Sequence, residues 1–185
     1  MSHPPKHPRR GFLRNSAKLM IGGMMLPFAQ KALASLSDAR SLDLRHTHTG
    51  ERISLVYAVD DRYLPDALTA LNRFLRDHYS GAVGSIDPRL FDLLHHLRLE
   101  VGCNEPFHVI SGYRCPETNQ TLKNTRGGGV AKRSLHMEGK AIDIRLPGVP
   151  LTDVRDAAMS LRRGGVGYYQ RDQFVHVDIG RVRHW

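Results

Sequence analysis

The chain has 185 residues, enough for one domain with its own core, and carries 27 basic against 18 acidic side chains, a formal net charge of +9. Lys6, Arg9, Arg10, Arg14, Lys18 and Lys31 lie in residues 1–34 with no acid, so residues 35–185 hold 21 basic and 18 acidic groups, a net +3. The pI of about 10.0 belongs largely to the N-terminal segment and gives no support to nucleic acid as a partner.

Residues 1–34 read as an export leader. Arg9-Arg10-Gly11-Phe12-Leu13-Arg14 resembles a twin-arginine signal, an apolar run covers 19–28, and Ala32-Leu33-Ala34 is a small-x-small cleavage site. The run is shorter than the ~20 apolar residues that cross a bilayer. A leader that engages the twin-arginine translocase and is cleaved after Ala34 is therefore expected, with a mature periplasmic domain at 35–185 and no stable membrane span.

Residues 42–57 read as two short strands around a turn at Thr49-Gly50-Glu51. His46-Thr47-His48 puts two imidazoles on one strand face, but no third ligand is near in sequence. Residues 64–79 have helical spacing, with Leu64, Leu68, Leu71 and Leu75 inward and Arg73, Arg76 and Asp77 outward. Asp87-Pro88 is an N-cap followed by a first-turn proline, opening a second helix that buries Leu90, Phe91, Leu94 and Leu97. The adjacent His95 and His96 diverge by about 100° on it and cannot share a metal.

Residues 107–113 form a buried strand that ends at Arg114, whose guanidinium could fork onto a carboxylate or stabilise an oxyanion. The strand lies between Cys103 and Cys115. Its ends would stand roughly 20 Å apart, against ~5.5 Å for a disulfide, so two free thiols are expected. Residues 119–133, polar with Gly127-Gly128-Gly129, read as a mobile loop bordering a site.

His136 and Asp143 then follow, with Gly139 placed to turn the chain between them. From residue 141 the pattern alternates: Ala141, Asp143 and Arg145 on the open face, Ile142, Ile144 and Leu146 inward. A third helix, capped by Thr152 and running to Arg163, turns Val154, Ala157, Ala158 and Leu161 inward and ends at Gly164-Gly165. A hairpin of 166–169 and 174–179 closes the chain, with Phe174, His176 and Asp178 on one face and Val175 and Val177 on the other. Imidazole and carboxylate are the usual ligands of catalytic zinc. His136, Asp143 and His176 would hold one ion and leave a position for water. The Ser134 hydroxyl is placed to orient a ligand or the substrate. The element order predicts an α+β domain: helices on one face of a mainly antiparallel sheet, with the zinc on the open face.

Ser134-x-His136-x-x-Gly139-x-Ala141-x-Asp143, His176-x-Asp178 and the upstream Ser111-Gly112-Tyr113-Arg114 resemble, in order, the motifs of the D-Ala-D-Ala metallopeptidases. These share a zinc-peptidase superfamily with lysostaphin-type enzymes and the hedgehog signalling domain. The resemblance covers roughly residues 42–185 and is strongest to the twin-arginine-exported murein endopeptidase K-like subfamily, which shares the basic, Trp-terminated tail Arg181-Val182-Arg183-His184-Trp185. It implies a peptidoglycan stem-peptide substrate, a zinc on the same three residues, and a substrate or oxyanion role for Arg114. It implies an endopeptidase of cross-links, including those between two diaminopimelate residues, more than a D,D- or L,D-carboxypeptidase. A zinc-containing wall-binding or signalling module without turnover is the rival reading. In one position the chain departs from these relatives: where many carry an acid three residues before the last histidine, it has Gln173. Two carboxylates flank that position. Asp178 shares the face of His176 and is favoured as base or as partner of that histidine; Asp172, in the turn, is the alternative.

Overall fold

The computed structural model describes residues 38–125 and 130–185. The leader at 1–34 and Gly127-Gly128-Gly129 lie outside them. Strands β1 (Ala39–His46) and β2 (Arg52–Val59) form the expected hairpin, followed by a short β3 (Arg62–Tyr63). Helices α1 (Pro65–Phe74) and α2 (Pro88–Val101) lead to β4 (Phe107–Ser111) and α3 (Pro116–Thr125). A 3₁₀ turn (Leu135–Glu138) precedes β5 (Ala141–Arg145), α4 (Leu151–Leu161), β6 (Gly165–Tyr169), β7 (Phe174–Asp178) and a two-residue β8 (Arg183–His184).

The strands make one sheet in the order β3-β2-β1-β4-β5-β7-β6-β8. Neighbours are antiparallel except β1–β4 and β6–β8. The fold is thus the expected α+β arrangement. Leu42, Leu44, Phe107, Val109, Ile142, Ile144, Val175 and Val177 are buried on the strands, against Leu90, Phe91, Leu94 and Leu97 of α2 and Val154 and Ala158 of α4. Each of these side chains larger than alanine contributes about 1.5–3 kcal/mol when fully buried. With this face holding the core, alternation turns Asp143 and His176 to the other side. Cys103 and Cys115 are both free thiols.

Three local readings are corrected. Asp77 does not face out, because α1 stops at Phe74 and the helical period stops with it. Its side chain is 1% exposed and accepts from the Tyr79 and Ser80 N–H groups and, across the fold, from the Cys115 N–H. Burial works against the charge, but these donors and Thr118 outweigh it and pull the carboxyl down to about 2. The polar stretch from Asn119 opens inside α3, not in a loop; with only Thr118 and Asn119 buried, that helix has no apolar stripe to read. Helix α4 starts at Leu151 behind Pro150 and has no side-chain cap, so Thr152 lies inside it.

Candidate metal centre

His136 is held by a turn built for it. The Ser134 hydroxyl accepts from the His136 N–H (3.4 Å) as N-cap of the 3₁₀ turn, and Gly139 ends the turn in the left-handed region (φ 64°). A side chain at Gly139 would meet the Ser85 carbonyl oxygen at 1.9 Å, so the position admits glycine alone. The Asp87 N–H donates to the Gly139 carbonyl, tying the turn to the start of α2, and the Arg114 N–H donates to the His136 carbonyl.

Asp143 and His176 are directly opposite each other in the antiparallel β5–β7 pair, which brings residues 33 apart in sequence side by side. His136 Nε2, His176 Nδ1 and Asp143 Oδ1 converge: 3.2 Å between the two nitrogens, and 3.3 and 2.8 Å from them to the oxygen. All three residues are buried, and among the described residues theirs is the one group whose ligand atoms meet in this way. The sequence-derived trio is therefore brought together. His46 and His48 do not join a set of this kind. His46 is fully buried against Phe74 and His78 and accepts from the His48 N–H. Burial and the neighbouring His78 and His48 push it down to about 4.

The far side of each imidazole is also engaged. His136 Nδ1 lies 2.7 Å from the Gly112 carbonyl oxygen and donates to it, which leaves Nε2 as the lone-pair nitrogen. His176 Nε2 lies 3.2 Å from Asp178 Oδ2 and donates in turn, freeing Nδ1 toward the centre. A nitrogen, nitrogen, oxygen donor set with both tautomers fixed from outside fits a zinc-type cation.

Asp178 is completely buried and accepts from five donors: His176, the Gly165 and Gly180 N–H groups, and both terminal nitrogens of Arg183 (3.1 and 2.7 Å). Burial opposes its charge, but His176, Arg183 and the two N–H groups hold it well below the usual carboxylate range. Asp143 is held low in the same sense: burial raises it, and the two histidines outweigh burial. For His176, burial lowers the pKa while Asp143 and Asp178 raise it, and the carboxylates win, leaving it at about 9.

The three ligands open into a cleft of about 600 Å³. Arg114, Arg133 and Ser134 line it with Asp172, Tyr169, Phe174 and Trp185. Arg114 bonds Ser111 (3.3 Å) and Asn119 (3.5 Å), and its guanidinium stands 3.8 Å from Asp143. Three contributors were missed from sequence. The Gly112 carbonyl is main chain and carries no side-chain signal. Arg183 shows in the sequence only as one of the basic residues of the tail. Trp185 was noted as a tail residue without a role.

Comparison with known proteins agrees with the geometry. Residues 34–185 match the family described as "Peptidoglycan L,D-endopeptidase MepK". The "Peptidoglycan L,D-endopeptidase MepK" of Escherichia coli strain K12 is 43% identical over 165 residues, covering 89% of this chain and 90% of that protein. The "Probable peptidoglycan L,D-endopeptidase MepK" of Haemophilus influenzae is 40% identical over 168 residues, covering 90% of each. No solved structure matches the chain. A family match across most of the chain, together with a buried His-Asp-His centre, makes the chain a member of the peptidoglycan L,D-endopeptidase MepK family.

Proposed function

We propose that the protein is a zinc-dependent peptidoglycan endopeptidase that hydrolyses stem-peptide cross-links in the periplasm. The observation that carries this is the convergence of His136, Asp143 and His176 at the floor of an open cleft, with each ring's outer nitrogen already committed. A zinc ion on these residues would polarise the scissile carbonyl and acidify a water molecule. The chain's own groups do the rest. Arg114 binds a substrate carboxylate or the developing oxyanion. Of the two roles open to Asp178, the geometry supports positioning: with both oxygens engaged inside the protein, it orients His176. Asp172 is the carboxylate that lines the cleft beside Asp143, which supports giving it, as the alternative to Asp178, the role of taking the proton from water. Ser134 positions His136 through the turn it caps.

The compartment follows from the leader, and the family match beginning at residue 34, where the leader ends, supports cleavage there. No helix among the described residues is long and apolar enough to cross a membrane. Digestion of purified sacculi tests the function. Zinc-loaded protein should release new muropeptides, and chelation or His136→Ala should abolish release. Intact sacculi after digestion with the zinc-loaded protein would favour the binding-module reading.

A further inference from the structure

Trp185 is the single tryptophan of the chain, and its surroundings fix it beside the centre. Its backbone N–H donates to the Val166 carbonyl and its carbonyl accepts from Tyr168, so it continues β8 along β6. Its indole N–H donates to the Tyr169 hydroxyl (2.9 Å). The ring lies across Gly167, where any Cβ would stand 2.7 Å from it, and Gly167 is the β6 partner of His176. The indole centre is 5.4 Å from the His176 ring, and the Arg183 guanidinium stacks on it at 4.9 Å. Half of the residue remains exposed, and it lines the cleft together with Phe174 and Tyr169. A large apolar side chain held at four points, with its one polar atom satisfied and its remaining surface turned into the cleft, has a face prepared for an apolar group.

The distance selects that group. One residue of extended chain spans about 3.3–3.6 Å. An indole 5.4 Å from a ligand histidine is therefore within reach of the residues that flank the scissile bond, and the glycan strand, several residues away, is not. Elsewhere in the lining, Arg114 and Arg133 are cationic and Ser134 is hydroxylic, and these three suit the polar ends of a stem peptide.

We propose that Trp185 is a specificity-determining substrate residue, whose indole forms the apolar wall of the subsite for the aliphatic side chain of a residue flanking the scissile bond. This rests on the peptidase reading and names the part of the substrate that the site grips. The lone tryptophan is also its own reporter. Titrating the zinc-loaded protein with a sugar-free tetrapeptide product of wall digestion should give a saturable change in its emission. Trp185→Ala should raise KM by about tenfold, the scale of one or two methylenes left unburied, with kcat, zinc content and Tm near wild type. Trp185→Phe, which keeps an aromatic wall, should recover most of the KM. Emission that does not move at peptide concentrations shown by calorimetry to saturate the protein overturns the proposal. So does a KM unchanged in Trp185→Ala, or a KM defect that appears only with lost zinc and a lowered Tm. The fluorescence reads binding without turnover: a protein that shows the emission change yet releases no muropeptide would overturn the peptidase reading and leave this subsite standing.

Discussion

The burial of Asp178 between His176 and Arg183 decides what that carboxylate can do. Asp178→Asn removes the acceptor that fixes the His176 tautomer and leaves Arg183 without its partner. Zinc affinity, measured by chelator competition, should fall about 10–100-fold, as for other outer partners of metal ligands. Turnover per zinc-loaded molecule should change far less. In Asp172→Asn the pattern should reverse, with zinc retained and kcat lower by about 10²-fold or more. Undiminished turnover in that variant would leave water activation to the metal alone. Arg114 stands nearer the chemistry, within reach of both the cleft and Asp143. Arg114→Ala should lower kcat/KM by about 10²-fold, with Tm reduced by less than about 4 °C. A collapsed Tm with normal residual activity would make it a structural arginine. The convergence of His136, Asp143 and His176 was legible from sequence because each sits at a fixed parity on a strand or beside a turn glycine. Gln173 left the base open, since the two nearby carboxylates are told apart by their burial and tertiary partners, which a sequence does not display.

Among the elements, the 3₁₀ turn Leu135–Glu138 is the one the centre depends on most directly. Gly139→Ala would force a left-handed alanine and a Cβ into the Ser85 carbonyl. The turn must shift to accept it, carrying His136 with it. A loss of about 2–4 kcal/mol in stability, read by denaturant melts, is expected together with weakened zinc binding. A stable variant with full zinc affinity would show that the turn has slack. Strands β5 and β7 could be foreseen because period-two alternation survives burial of both faces when one face holds a conspicuous His or Asp. Helix α3 could not, since it buries only Thr118 and Asn119 and advertises no stripe. Asp77 was misread for a related reason: periodicity extended the helix past Phe74, and the tertiary bond to the Cys115 N–H leaves no trace in local sequence. Two-residue β8 falls below any pattern length, yet it leads directly into Trp185.

At the level of the whole molecule, metal, proton and fold are linked. Without metal, His176 is raised to about 9 from its usual value near 6.5. A raised histidine contributes stability that is fully present below about pH 6.5 and is lost as pH climbs through about 9. Zinc must displace that same proton, so its affinity should rise with pH up to about 9, close to tenfold per unit. Melting curves between those limits should therefore diverge, the metal-free protein weakening while the zinc-loaded protein holds or gains. Parallel curves would mean that His176 does not carry the proton. The domain's charge tells a second story, since most of the excess basicity sits ahead of residue 35. Lysine at both Arg9 and Arg10 should leave the precursor in the cytoplasm, checked by fractionation; unchanged periplasmic yield in a strain lacking the twin-arginine translocase would refute the route.

The cap made by Ser134 has a pharmacological consequence. β-Lactams inactivate cell-wall enzymes by acylating an activated serine. The serine of this cleft spends its oxygen holding a main-chain N–H, beside imidazoles turned toward a metal. With both nitrogens of His136 and of His176 engaged, by Gly112 or Asp178 on one side and at the centre on the other, neither ring is free to take the Ser134 proton, so this hydrolase should keep cutting in cells treated with penicillins. The buried His136, Asp143 and His176 set offers an inhibitor a different handle, a group that ligates the proposed metal.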